Sequence, residues 1–148
     1  RGCVGVGHVQ AGALSSESAR NDFPGRQHRR TGAWRPNLSR RRVGTLGEDI
    51  AAFFLRRRGL TIIDRNVRVG RGELDLLVLD SGRRVAVEVK TIVTRERAQH
   101  AEDAFTDAKA ATVARLARQI RPPAHRVDLI AISLSETGAG IRWLRDVA

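Results

Sequence analysis

Two apolar segments, residues 73–80 and 83–93, are separated only by a serine and a glycine, and this arrangement constrains the fold more than any other feature. Short segments rich in Val and Leu predict β-strands, and a two-residue connection that contains glycine predicts a tight hairpin. A two-residue loop also fixes the register, so Asp80 is expected to face Arg83 and every further pair follows from it. The chain is therefore expected to contain an antiparallel hairpin of defined register.

This register places Asp75 directly opposite Glu88, with Cβ atoms ~5 Å apart. Two like charges at that distance repel each other by about 3 kcal/mol at an effective dielectric constant near 20. A divalent cation such as Mg²⁺ would offset the repulsion, because it prefers oxygen ligands. A raised pKa of one carboxyl group, or solvation at an exposed edge, are the alternatives. The other face of the hairpin is expected to be core, formed by Leu74, Leu76, Val78, Val85, Val87 and Val89.

Lys90 follows Glu88 by two residues and is therefore expected on the same face of the strand. The chain has 25 Arg and only two Lys, Lys90 and Lys109, so a lysine at this place is unusual. A compact ammonium group suits an attacking water or a phosphate oxygen. An ordinary cross-strand ion pair between Lys90 and Glu73 is the alternative, although it leaves the pair of Asp75 and Glu88 unexplained.

Helical and extended segments alternate over the rest of the chain. Thr45 and Glu48 have the spacing of a capping box, which predicts a helix start and gives Glu48 a structural role. The alternative role for Glu48 is a third carboxylate directed at the metal. The pattern predicts, in chain order, a helix over 46–58, strands over 60–69, 73–80 and 83–93, a helix over 101–121, a strand over 127–134 and a further edge strand over 141–147.

Positive charge is concentrated in the first part of the chain. The formal net charge is +11, and residues 1–42 contain nine Arg and only two acidic residues. They have no periodic apolar face, which predicts a disordered basic extension over 1–42 before one domain over 43–148. The extension is interpreted either as an electrostatic arm for nucleic acid or as a solvated linker. Nucleic acid, DNA in particular, is the expected partner.

Cysteine and hydropathy limit the classes of protein to which the chain can belong. Cys3 is the only cysteine, which excludes an internal disulfide framework and a Cys-rich zinc module. No apolar stretch approaches the ~20 residues of a membrane-spanning helix. The sequence therefore predicts a cytoplasmic protein that does not contact a membrane.

Four short motifs follow one another along the chain: Gly44-x-x-Gly47-Glu48, Asn66-x-Arg68, Gly72-Glu73-Leu74-Asp75-Leu76-Leu77 and Val87-Glu88-Val89-Lys90. Together they resemble the YraN family of predicted nucleases. This family belongs to the restriction-endonuclease-like superfamily with the PD-(D/E)xK signature, and is similar to archaeal Holliday-junction resolvases. The resemblance covers roughly residues 43–148.

The resemblance implies an α/β fold, in which a mixed sheet is flanked by helices, and a nuclease that acts on DNA, including branched DNA. It implies that Asp75, Glu88 and Glu48 hold Mg²⁺ or Mn²⁺ and that Lys90 orients water or stabilises phosphate charge. Resolvase-like chemistry would also predict a homodimer. The residues expected to contact nucleic acid are Arg68, Arg71, Arg95, Arg97 and Lys109.

The sequence departs from the family pattern after Lys90. The family commonly has an Arg two residues after this lysine, whereas Ile92 stands here, so Arg95 or Arg97 would have to replace that contact. The departure favours a second function, a nucleic-acid-binding or scaffold protein that has the nuclease fold without turnover. A third is an RNA-binding factor whose affinity comes from the arginine-rich residues 1–42.

Overall fold

The structure is a computed structural model that describes residues 7–9, 39–94, 100–136 and 138–148. Within these ranges six strands form one sheet in the order β1-β6-β5-β4-β3-β2, in which only β4 and β5 are parallel. The elements are β1 (Gly7–Val9), α1 (Arg40–Arg56), β2 (Thr61–Val69), β3 (Gly72–Asp80), β4 (Arg83–Val93), a 3-10 helix (Ala101–Ala104), α2 (Asp107–Gln119), β5 (Arg126–Ser135) and β6 (Gly138–Leu144).

Helices α1 and α2 cover opposite faces of the sheet. Leu55 of α1 is packed in one apolar cluster with Val85 and Val87 of β4. Leu116 of α2 belongs to a second cluster with Ala86, the intervening residue of the same strand. Because successive side chains of a strand point to opposite faces, the two clusters lie on the two sides of the sheet. The predicted α/β fold with a mixed sheet flanked by helices is confirmed.

The predicted hairpin forms with the expected register. Asp80 faces Arg83, and the paired residues continue as far as Leu76 and Val87. The turn residues Ser81 and Gly82 have φ values of 50° and 82°. Positive φ at both positions matches the twist of the flanking strands, which explains why this short turn sets the register.

Strand β3 changes its packing at Asp75. Leu76 packs in the cluster on the α1 side, whereas Leu74 packs in the cluster on the α2 side. Residues two apart in a regular strand share a face, so the alternation is interrupted between them. The prediction that Leu74 lies on the same face as Leu76 is therefore wrong. Opposite this point in β2, Asn66 has a φ of 52°, so the neighbouring strand is irregular at the same level.

Helix α1 begins six residues before the predicted start. Ser39 is its N-cap, and the Ser39 hydroxyl accepts a hydrogen bond from the backbone N–H of Arg42. Thr45 lies inside the helix, where its hydroxyl donates to the carbonyl of Arg41 at 3.1 Å. The predicted capping box is therefore wrong, and Glu48 has no capping role.

Other predicted boundaries also shift. The helix predicted over 101–121 is divided into the 3-10 helix and α2, because Thr106 caps α2 by accepting from the N–H of Lys109. Strand β6 ends before 147 and is not at the edge of the sheet, since β1 pairs with it. Residues 7–9 and 40–42 thus form regular elements in a segment predicted to lack them, while residues 10–38 lie outside the described part.

A network of charged side chains joins the hairpin to the later strands. Arg126 Nη2 lies 2.6 Å from Asp80 Oδ2, and Arg126 Nε lies 2.9 Å from Asp128 Oδ1. Arg145 also contacts Asp80, at 2.7 Å. Asp128 is completely buried and also accepts from the indole N–H of Trp143 at 3.0 Å. The charges of these arginines and aspartates compensate each other inside the fold, so we assign these side chains a structural role.

Candidate active site

Both lysines of the chain contact the same carboxylate oxygen of Glu88. Lys90 Nζ lies 2.6 Å and Lys109 Nζ lies 3.0 Å from Glu88 Oε1. Glu88 projects from β4 toward the α2 side and is only 2% exposed. Its second oxygen, Oε2, is buried and has no hydrogen-bond partner among the described residues. Two cations therefore compensate one side of a buried carboxylate, and the other side is free to accept a ligand.

Asp75 lies where the β3–β4 pairing ends. Its Oδ2 accepts a 2.7 Å hydrogen bond from the backbone N–H of Val89, so a carboxylate takes the place of a carbonyl of the neighbouring strand. Burial, followed by the negative charge of Glu88, raises the pKa of Asp75 from 3.8 to about 6. The Val89 hydrogen bond and Lys90 act in the opposite direction, and the charge of Glu48 raises the pKa further. The predicted repulsion between Asp75 and Glu88 is thus present.

Glu48 and Glu73 meet on the α1 side through Asn66. The side-chain amide of Asn66, oriented by its hydrogen bonds, donates to Glu73 Oε1 at 2.9 Å and to Glu48 Oε2 at 3.3 Å. These residues line an open groove of about 660 Å³, together with Arg41, Thr45, Arg65 and Arg68. Glu73 is therefore directed to this groove, and Lys90 pairs with Glu88 rather than with Glu73.

The carboxylates can be tested for their fit to a divalent cation. Asp75 and Glu88 supply hard oxygen donors, the Oε2 atom of Glu88 is buried and unpartnered, and the charge of Glu88 raises the pKa of Asp75. Among the described residues no three His, Cys, Asp or Glu side chains form a group that could hold a metal. Mg²⁺ commonly takes only one or two carboxylates and keeps its remaining ligands as water. The pair of Asp75 and Glu88 therefore fits Mg²⁺ or Mn²⁺, and Glu48 acts on the pair through its charge.

The residues expected to contact nucleic acid are found in different places. Arg68 lines the groove on the α1 side, and Arg71 is exposed in the β2–β3 turn. Lys109 lies at Glu88, a contact that the sequence analysis missed. The rarity of lysine was the available signal, because both lysines of an arginine-rich chain meet at one oxygen. Arg95 and Arg97 lie outside the described residues.

Asn66 is a further residue at this groove to which the sequence analysis assigned no role of its own. It stands in one of the family motifs, but its bridge between two carboxylates depends on the local backbone. A positive φ is uncommon for residues other than glycine, and Asn tolerates it better than most. An Asn within a strand otherwise rich in β-branched residues was the signal for this irregular position.

Comparison with known proteins identifies the family. The family model described as uncharacterised protein family UPF0102 matches residues 47–132, a range that contains Glu48, Asp75, Glu88, Lys90 and Lys109. The chain belongs to this family. The expected YraN-like family is thus confirmed, and the UPF0102 description itself names no activity.

Several UPF0102 proteins of other organisms are similar to this chain over most of their own length. The UPF0102 protein of Herminiimonas arsenicoxydans is 34% identical over 116 residues, which cover 76% of this chain and 90% of that protein. The relative in Ralstonia pickettii is 43% identical over 113 residues, with coverages of 70% and 87%. The relative in Symbiobacterium thermophilum is 42% identical over 104 residues, with coverages of 66% and 87%. No helix in the described ranges is long and apolar enough to span a membrane.

Proposed function

We propose that this UPF0102 protein is a metal-dependent nuclease that hydrolyses phosphodiester bonds of DNA. The observation that carries the proposal is the buried Glu88 carboxylate, which has one oxygen in contact with two ammonium groups and the other unpartnered, while its charge acts on Asp75. The net charge of +11 favours a polyanionic substrate. Carboxylates can hold a divalent cation, and ammonium groups can stabilise the charge that develops on phosphoryl oxygens during phosphodiester hydrolysis.

Some side chains of the site would bind the cation, and others would contact the phosphate. When bound, Mg²⁺ or Mn²⁺ would activate a water and neutralise phosphoryl charge. Asp75 and Glu88 would hold this cation, and Glu48 would add negative charge from the α1 side. Lys90 is 26% exposed, so its ammonium reaches both Glu88 and the surface, where it can orient water or contact a phosphate oxygen. Asp75 must lose its proton to bind a cation, so cation affinity is expected to rise through about pH 6.

Calorimetric titration of the full chain with Mg²⁺ and Mn²⁺ tests the cation site. We expect saturable binding that Asp75→Asn and Glu88→Gln each abolish. Asp64→Asn, which removes the same charge from an exposed position on β2, is the matched control and should bind as wild type does. Absence of binding by wild type, even with a DNA duplex present, would overturn the proposal.

Cleavage assays then test the chemistry and the substrate. We expect Lys90→Gln to lose cleavage while it retains cation binding, because Lys90 acts on water and phosphate. A four-way junction compared with a linear duplex tests the preference for branched DNA, and sedimentation tests the predicted homodimer, since two symmetric cuts require two sites. Cation binding by wild type without any cleavage of these substrates would refute nuclease activity on them.

A second candidate function is nucleic-acid binding without catalysis. It is favoured by Ile92, which stands two residues after Lys90, where the family commonly has an Arg. Ile92 is half-buried in β4, so this position offers no basic contact to a phosphate. If this function is correct, DNA affinity should not depend on a divalent cation and should survive Glu88→Gln.

A further inference from the structure

The charge balance of the site changes when a cation enters. Asp75 and Glu88 in their ionised forms are matched by Lys90 and Lys109, so the four side chains are neutral as a group. A divalent cation at the two carboxylates would leave an excess of two positive charges. Each lysine would then be repelled by the cation, and an anion would be attracted to the site. Cation binding is therefore expected both to displace a lysine from the carboxylates and to favour binding of a phosphodiester.

The two lysines are not equally free to move. Lys90 and Glu88 are on the same strand, two residues apart, and their atoms lie 2.6 Å apart. Lys109 comes from a different element, the first turn of α2, where its backbone N–H is held by the Thr106 cap. Its contact with Glu88 is longer, at 3.0 Å, and its side chain is 36% exposed against 26% for Lys90. The long flexible stem of a lysine can carry the ammonium into solvent from a fixed backbone.

We propose that Lys109 compensates Glu88 only while no cation is bound, and that it moves to the phosphodiester when a divalent cation occupies Asp75 and Glu88. This inference rests on the proposed function, because it requires the cation site. It gives Lys109 a second task, which is to couple cation binding to DNA binding. The coupling is reciprocal, so the cation strengthens DNA binding by the same factor as DNA strengthens cation binding.

The coupling predicts two effects of removing the Lys109 charge. Without DNA, the Lys109→Gln variant should bind the cation more tightly, by roughly five- to tenfold, because a competitor for Glu88 has been removed. With DNA, the same variant should lose most of the gain in affinity that the cation gives to wild type. A Lys109 that stays on Glu88 would also repel the cation, so its removal would produce the first effect alone. The second effect is the one that requires Lys109 to move to the DNA.

Ca²⁺ is a suitable probe, because it shares the preference of Mg²⁺ for oxygen ligands. Calorimetry of the full chain gives Ca²⁺ affinity, and the anisotropy of a fluorescent DNA duplex gives DNA affinity with Ca²⁺ and with EDTA. Arg115→Gln removes the same charge from an exposed position on α2 and is the matched control. Lys109→Met, which keeps the aliphatic stem, provides the same measurements if Lys109→Gln does not fold.

The outcomes separate this inference from the proposed function. Tighter Ca²⁺ binding and a smaller Ca²⁺-dependent gain in Lys109→Gln, with Arg115→Gln unchanged, support it. If wild type binds Ca²⁺ but Lys109→Gln behaves as Arg115→Gln does, the role of Lys109 is refuted and the cation site stands. Weaker Ca²⁺ binding in Lys109→Gln also refutes it, as does tighter Ca²⁺ binding with an unchanged Ca²⁺-dependent gain in DNA affinity. If wild type binds no Ca²⁺ with or without DNA, the proposed cation site and the role of Lys109 are both refuted.

Discussion

Replacement of Asp75 by Asn is expected to stabilise the metal-free protein at neutral and alkaline pH. The carboxyl group of Asp75 is half-buried beside Glu88, and its pKa of about 6 compares with an ordinary value of 3.8. Each pKa unit corresponds to about 1.4 kcal/mol, so an ionised Asp75 costs the folded state about 3 kcal/mol at most. The amide oxygen of Asn can still accept the hydrogen bond from Val89. The substitution therefore removes the unfavourable charge and keeps the contact.

The sign of the pH dependence follows from the same pKa. The folded protein holds the Asp75 proton more tightly than the unfolded chain does, so this contribution to stability is complete below about pH 4. It is lost as the pH rises through about 6. The difference in unfolding free energy between Asp75→Asn and wild type should therefore grow from pH 4 to pH 8 and then level off.

Urea unfolding in EDTA at intervals from pH 4 to pH 8 measures this difference. Asp80→Asn is the control on the same strand, since Arg126 holds the pKa of Asp80 below its ordinary value and the variant should be destabilised at pH 8. A difference for Asp75→Asn that does not vary with pH, or a loss of stability at pH 8, would refute the reasoning.

Three further substitutions test packing, charge compensation and the start of α1. In urea unfolding, Gly47→Ala should destabilise the fold by about 2 kcal/mol, because the new Cβ would lie 1.8 Å from a threonine oxygen of β4. Gly44→Ala should be neutral or stabilising, because a Cβ at this helix position meets no neighbouring atom. Arg126→Gln should cost about 3 kcal/mol in the same assay, since it leaves a fully buried carboxylate without its cation. Ser39→Ala should cost about 1 kcal/mol, whereas an equal loss in Thr45→Ala would contradict the observed N-cap.

The sequence predicted those features that depend on neighbours along the chain. The register of the hairpin could be derived because the turn joins adjacent strands, and Lys90 could be placed with Glu88 by the two-residue period. The contact of Lys109 could not, since it depends on how α2 packs on the sheet.

Two local predictions were wrong because tertiary structure decided between competing signals. Thr45 and Glu48 have the spacing of a capping box, yet Ser39 offers an equally good cap, and the helix begins there. The alternation of the strand places Leu74 on the α1 side with Leu76, but in the structure Leu74 packs against α2 on the opposite face. A regular strand pattern was enough to bring Asp75 and Glu88 together, but it could not predict the interruption of the alternation at Asp75.

The network around Asp80 has a consequence for folding on the ribosome. The hairpin that carries Asp80 is synthesised 65 residues before Arg145, one of the two arginines that compensate it. Arg126 also arrives after both strands of the hairpin have been made. Domains generally fold as units during synthesis, so strands made early become stably packed only after the later strands have been made. A nascent chain is expected to become resistant to proteases only after Arg145 has left the exit tunnel, although the hairpin was made long before.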